Sequence, residues 1–268
     1  MQAFDPKQNT ITQEQIAEIA KYDICTIADA LDILSARPFN AGFLLPEIKQ
    51  LLPRGRKTFV GFAATGKLCN SHPPKEEQKE NMIQYYAHVQ SMCRPCISVV
   101  EDIDPYPQGS IWGGINVLQH KALGCIAGIT NGAIRDVYEL EEHQDFGFYG
   151  TCFTTNRGHQ HIVDYNCPVN VGGMTIYPGD LIAADMQGVI VIPKEVVPRL
   201  IEACQANVDG ERPLVDYLTG VLERGEEIDI DELRRVRYFS GALYASVPPG
   251  VEDTRKGDGA LGYDMYSK

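Results

Sequence analysis

Residues 96–136, CISVVEDIDPYPQGSIWGGINVLQHKALGCIAGITNGAIRD, carry the order of elements that decides the fold. The run 96–100 is apolar, reads as a buried strand, and ends in the acidic cluster Glu101, Asp102 and Asp104. A Gly-rich loop at 109–114 follows, then helical spacing to about residue 123 and a short strand over 125–129. A turn at Asn131-Gly132 leads into a helix expected over about residues 134–142. Strand, helix, strand and helix in this rhythm predict an α/β fold with at least part of the sheet parallel. In such folds functional groups collect where the strands end.

Working outward toward the N-terminus, Ile16, Ile19, Ala20, Ile24, Ile27, Leu31 and Leu34 recur every three or four residues, with one break near Tyr22 and Asp23. That pattern predicts two short helices. Residues 37–56, rich in Pro and Gly, read as a loop leading into a strand over 58–68; 70–79 reads as a surface loop and 80–92 as a helix. Toward the C-terminus, short hairpin-linked strands are expected at 147–154, 161–165, 169–176 and 180–192, punctuated by Gly172-Gly173 and Pro178-Gly179. Helices follow over 194–207 and 213–223. A single α/β domain is expected over residues 1–245, with a tail at 246–268 that orders only by docking on a neighbouring subunit.

Composition narrows the function classes. With 44% hydrophobic and 22% charged residues, disorder throughout is excluded. No run approaches the roughly 18 to 20 apolar residues that span a bilayer, and residues 1–10 are polar, without an apolar signal core. A cytoplasmic protein with no membrane partner is expected. The formal charge of −12 opposes binding to phosphate backbones, so no nucleic-acid partner is expected; an anionic substrate would need a metal ion or a local Arg to reverse the field. The eight cysteines lie mostly in apolar runs and read as reduced thiols. Cys93 and Cys96 form a Cys-x-x-Cys without a second pair or a His at finger spacing, and read as structural.

Two elements carry the candidate chemistry. The Gly-rich turn into a helix, Gly113-Gly114-Ile115-Asn116, leaves backbone N–H groups free to meet an anion. Arg135-Asp136 offers a bidentate carboxylate clamp beside a hard metal ligand. Both could face one pocket, or they could simply supply helix caps and surface ion pairs. His159 and His161 alternate like a two-His metal pair, but without an attached carboxylate motif a surface or interface role is the preferred reading. Glu101, Asp102 and Asp104 offer a base or an outer-shell ligand, with a solvated turn the simpler reading. Asp180 reads as part of a Pro-Gly-Asp turn, Asp185 as a strand end and Trp112 as packing.

The ordered set TIADAL (26–31), WGG (112–114), NGAIRD (131–136) and PGDLIAADMQGVIVIP (178–193) resembles the RraA-like family, over roughly residues 10–225. That family includes 4-hydroxy-4-methyl-2-oxoglutarate aldolases and non-enzymatic regulators of ribonuclease E. The resemblance implies a β/β/α swivelling-type domain with a mixed sheet, N-terminal helices and a C-terminal helical extension, assembled as a homotrimer or homohexamer with active sites between subunits. It implies that Asp136 anchors Mg2+ or Mn2+, that Arg135 binds the substrate, and that Gly113, Gly114, Ile115 and Asn116 contact it. The implied activity is that of a class II carbon-carbon lyase on small 2-oxo acids: retro-aldol cleavage, oxaloacetate decarboxylation, or both, through a metal-stabilised pyruvate enolate.

Asn131 stands where the family often has Asp, and residues 70–79 and the C-terminal tail have no placed counterpart. Family aldolases also use a carboxylate from a neighbouring subunit, for which Glu211 and Glu223 are among several candidates. The alternatives are a non-catalytic regulator that docks on a protein partner, and the same scaffold turned to another lyase or isomerase reaction.

Overall fold

A computed structural model of the chain describes residues 4–239; the expected tail at 246–268 lies outside the described residues. The chain divides into two compact units. One comprises the residues up to Ile24 together with Gly42–Lys194, and the other Cys25–Ala41 together with the described residues from Glu195 on. Among the described residues no helix is long and apolar enough to cross a membrane.

Two short helices, α1 (Gln13–Ile19) and α2 (Ile24–Ile33), appear where the apolar spacing predicts them. Thr12 and Gln15 cap α1 reciprocally, each side chain meeting the other's backbone N–H. The segment expected as a loop contains β1 (Lys49–Leu52), and the expected strand is β2 (Phe59–Cys69). Then come α3 (Asn81–Ser91), β3 (Cys96–Asp102), β4 (Ser110–Trp112), α4 (Gly114–Ala122) and β5 (Cys125–Thr130).

Here the structure departs from expectation. Instead of a helix over 134–142, the chain forms β6 (Ala133–Ile134) and a single-turn helix, α5 (Val137–Leu140). Ala133 and Ile134 pair with β4, and Asp136 adopts a left-handed φ of 59°, which no continuing α-helix allows. The strand expected at 147–154 likewise divides, β7 (Gly147–Gly150) joining the main sheet and β8 (Cys152–Phe153) pairing with β6.

The remaining strands are β9 (His161–Tyr165), β10 (Val169–Val171), β11 (Met174–Ile176), β12 (Leu181–Asp185) and β13 (Gly188–Ile192). Gly172 and Gly173 close the β10–β11 hairpin with φ of 52° and 73°, the two positive values that a tight primed turn requires.

The main sheet runs β1-β7-β5-β3-β2-β12-β13, with β9 also paired to β2. Strands β2, β3, β5 and β7 are mutually parallel. Because side chains alternate along each strand, the sheet buries two apolar faces. Ala64, Leu68, Val100 and Phe148 pack with Tyr85 and Val89 of α3 and Val117 of α4. Ala63, Val99, Ile129 and Tyr149 pack with Val169, Val171 and Ile176 of the β10–β11 hairpin. Hairpin, sheet and helices thus form β/β/α layers, and the α/β class with a mixed sheet is as expected.

The second unit carries α6 (Val197–Arg224) and α7 (Ile230–Phe239). A break near Pro213 was expected, yet α6 runs through it. Pro213 and Asp209 one turn earlier are both exposed, so the carbonyl that loses its N–H partner meets water. Within this unit Asn207 donates to Asp29 at 3.4 Å, and Arg37 lies 3.4 Å from Asp32.

Trp112 is fully buried, packing edge-on against His120 with ring centroids 4.7 Å apart. Gly128 on β5 makes room for its indole: a methyl there would lie 2.4 Å from the ring. Gly128→Ala is expected to destabilise the chain by about 1–3 kcal/mol through overpacking, measured by urea unfolding. An unchanged midpoint would show that the Trp112 ring shifts freely.

Candidate functional site

The small parallel sheet β4-β6-β8 sets the site. Ser110 lies opposite Ala133 and Trp112 opposite Ile134, so Gly113-Gly114 and Arg135-Asp136 leave the sheet side by side. The Arg135 backbone N–H donates to the Trp112 carbonyl at 3.0 Å, fixing that juxtaposition. Asp136 then turns with its left-handed φ, and its carboxylate does not cap its own helix. Oδ2 accepts from the Gly114 N–H at 3.3 Å, and Oδ1 accepts from Arg135 Nε at 2.9 Å. The carboxylate therefore sits at the N-terminus of α4, where unpaired N–H groups and the helix dipole favour an anion.

Carboxylates occupy the space beside both glycines. A methyl on Gly113 would lie 2.6 Å from Asp136 Oδ2, and one on Gly114 would overlap the Glu139 carboxylate. Glu139, which the sequence reading passed over, thus joins the same turn; its position one helical turn after Asp136 was the available signal. Ile115 points outward, 76% exposed. Asn116 spends most of its amide internally, donating to the Ile111 carbonyl at 2.6 Å and accepting from the Tyr86 hydroxyl at 2.8 Å. Arg135 and Asp136 each remain about a third exposed.

The donor set fits a hard divalent ion. Asp136 supplies one carboxylate with Glu139 beside it, and among the described residues no group of three His, Cys, Asp or Glu ligands includes either. Ions such as Mg2+ and Mn2+ accept one or two carboxylates and complete their shell with water and substrate oxygens. A closed zinc site requires more.

A second cluster occupies the ends of β3 and β5. Asp102, expected in a solvated turn, is buried because β3 pairs with β2 as far as Asp102 itself. Its Oδ1 accepts from the Asp104 N–H at 3.1 Å and its Oδ2 from Asn70 Nδ2 at 3.2 Å. Its backbone is clamped by Asn131, which accepts from the Asp102 N–H at 2.7 Å and donates to its carbonyl at 2.9 Å. This gives Asn131 a structural role in place of the charge that Asp would bring. The two clusters lie at opposite ends of the small sheet: Gly132 touches Asp102 and Arg135 holds Asp136, three residues or roughly 10 Å apart at strand rise.

The remaining singled-out residues are placed as follows. Asp180 accepts from the Tyr177 N–H at 2.9 Å and closes its turn. Asp185 accepts from the Ile24 and Gln187 N–H groups at 2.9 and 2.7 Å. His159 is exposed, whereas His161, expected at a surface or interface, is 5% exposed, with Cys69 and His72 nearby. A pocket of about 280 Å³ lined by Phe4, Asp5, Gln8 and Lys194 includes none of the clustered residues.

Burial pushes the Asp102 carboxyl up from 3.8 to about 6, and the hydrogen bond from Asp104 only partly offsets it. A carboxyl raised in the fold favours its neutral form, so the stabilisation is present below its unfolded pKa and lost as pH rises through about 6. Asp102→Asn keeps a neutral side chain at all pH values. The variant is expected to be more stable than the parent at about pH 7.5, with the difference shrinking toward about pH 4 in urea unfolding. A pH-independent difference would show that Asp102 ionises in the fold as it does in the open chain.

The RraA-like family model, described as Aldolase/RraA, matches residues 24–191. An uncharacterized protein of Methanocaldococcus jannaschii is 32% identical over 120 residues, 44% of this chain and 55% of its own length. A Halalkalibacterium halodurans protein named as a 4-hydroxy-4-methyl-2-oxoglutarate aldolase is 38% identical over 76 residues, 28% of this chain and 35% of that one. Matched stretches thus span about half or less of these curated relatives. A Streptomyces coelicolor member of the RraA family of ribonuclease ES inhibitors superposes with TM-score 0.56 at 20% identity, covering 73% of this chain and 92% of that one, a likeness of fold. With layers, turn and Arg-Asp pair in place and most of the chain matched, the protein belongs to the RraA-like family.

Proposed function

We propose that the chain is a divalent-metal-dependent lyase that cleaves a carbon-carbon bond in a small 2-oxo acid, with Mg2+ or Mn2+ held at Asp136. The observation that carries this reading is the Asp136 carboxylate held at the α4 N-terminus by Gly114 and Arg135, with one-third of the side chain still open to solvent. When bound, the ion supplies Lewis-acid stabilisation of the negative charge that develops on the keto oxygen.

The chain's own residues bind and orient. Arg135 uses Nε on Asp136, which leaves its terminal N–H groups for the substrate carboxylate. The free N–H groups of the first turn of α4 add a positive end to the same spot, offsetting the net charge of −12 that would otherwise repel an anionic acid. Decarboxylation needs only this electron sink. Retro-aldol cleavage also needs a base for the C4 hydroxyl proton, and Glu139 is the carboxylate on this chain next to the glycine turn.

A homotrimer or homohexamer with sites between subunits fits the same region. Ile115, Leu118 and Tyr138, on α4 and α5 around Asp136, are 76%, 57% and 88% exposed, an apolar rim that another copy of the chain would cover. The double variant Ile115→Asp, Leu118→Asp is expected to shift the sedimentation coefficient to that of a single chain. An unchanged coefficient would place the interface elsewhere.

The direct test is pyruvate release from oxaloacetate and from 4-hydroxy-4-methyl-2-oxoglutarate, with Mg2+, with Mn2+ and with EDTA. Turnover is expected with metal and not with EDTA, and Asp136→Ala is expected to lose about 100-fold or more in kcat/KM. Arg135→Lys, which keeps the charge but not the fork, is expected to act mainly by raising KM. Absence of turnover with both substrates and both ions would overturn the lyase and favour a regulator that docks on a protein partner, the other activity found in this family.

A further inference from the structure

At the end of β2, away from the glycine turn, three metal-ligating side chains converge. Cys69 and His161 are directly opposed in the antiparallel β2–β9 ladder, which puts both on one face. His72 comes from the loop that follows β2. The ligand atoms of Cys69, His72 and His161 all lie within 4.8 Å of one another. The sequence pairs Cys93 with Cys96 and His159 with His161 share only His161 with the group that forms, because a cross-strand register and a loop assemble it.

The protonation pattern suits a cation. His161 Nδ1 lies 2.9 Å from the His159 carbonyl, and His72 Nδ1 lies 3.1 Å from the Pro73 carbonyl. A carbonyl only accepts, so each Nδ1 carries a proton, and in the neutral imidazole each Nε2 then presents a lone pair. Such outer hydrogen bonds are what orient imidazole ligands on a metal. His72 Nε2 is 3.4 Å from Cys69 Sγ, while His161 Nε2 is buried with no hydrogen-bond partner, in a side chain only 5% exposed. An unpaired buried nitrogen is costly unless something fills its lone pair.

One of the three separations is that of tetrahedral zinc ligands, and all three are within 4.8 Å. With Zn–S about 2.3 Å and Zn–N about 2.0 Å, sulfur and nitrogen ligands stand roughly 3.5 Å apart. The Cys69–His72 pair already has that separation, and His72, exposed and on a loop, is free to approach His161. Asp104 Oδ1 stands 3.3 Å from Cys69 Sγ and accepts from Ser71 at 2.6 Å, at the edge of the fourth position.

We propose that Cys69, His72 and His161 bind a Zn2+-class ion, with Asp104 bordering the fourth position. The thiolate and imidazole donors exclude Mg2+ and favour borderline ions, so this centre and the oxygen-ligated one at Asp136 select different metals. Binding releases the Cys69 thiol proton to solvent and ties the 70–79 loop to β9 and to the end of β3.

The experiment strips the full-length protein with a chelator and titrates it with Co2+, reading thiolate-to-cobalt absorption in the near ultraviolet, then displaces the ion with Zn2+. One equivalent per chain is expected, with the band absent in Cys69→Ser and binding about tenfold or more weaker in His72→Ala. Because His72 is exposed, its variant keeps the parent's circular dichroism even if Cys69→Ser folds poorly. Asp136→Ala is expected to retain the band, which separates this centre from the lyase reading. A folded parent without thiolate absorption, a Cys69→Ser chain that keeps it, or its loss in Asp136→Ala would each overturn the proposal.

Discussion

The parallel ladder of β2, β3 and β5 is the constraint on which everything else rests. Its register sets Leu68 beside Asp102 and Val100 beside Thr130, so three strands end together and point the same way. Parallel strands demand return crossovers, which α3 and α4 provide, and their interiors are covered on both faces. Unpaired polar groups are costly there, so Cys69, Asn70, Asp102 and Asn131 appear only where the ladder stops.

Two carboxylates within one fold then receive opposite treatment. Asp102 is enclosed, served by one side-chain amide and one backbone N–H, and burial drives it toward its neutral form. Asp136 is partly solvated and lies between a guanidinium and the N-terminus of a helix. The residue type is the same and the two environments differ. The Cys69 group adds a third environment, with nitrogen and sulfur donors, and so a third kind of selectivity.

Much of this was legible from local pattern. Helices α1 to α4 and strands β2, β3, β5 and β9 follow from apolar spacing, because each buries one face or a whole run of apolar residues. The turn at Gly113-Gly114 and the Arg135-Asp136 pair were both recognisable as candidate chemistry. Their mutual contact follows from the β4–β6 pairing, which strands of three and two residues are too short to announce. The expected helix at 134–142 failed for the same reason: its apolar positions serve a strand first and a single helical turn afterwards.

By itself the sequence determined the α/β class, the family and the short segments that carry candidate chemistry, because these depend on residue type and spacing within one element. Only the tertiary structure decided which groups meet. The left-handed turn that carries Asp136 over to the Gly114 N–H, the burial of Asp102 and the convergence of Cys69, His72 and His161 each arise from pairing between strands far apart in the chain. Burial and cross-strand register are properties of the assembled sheet, and no window of sequence contains them.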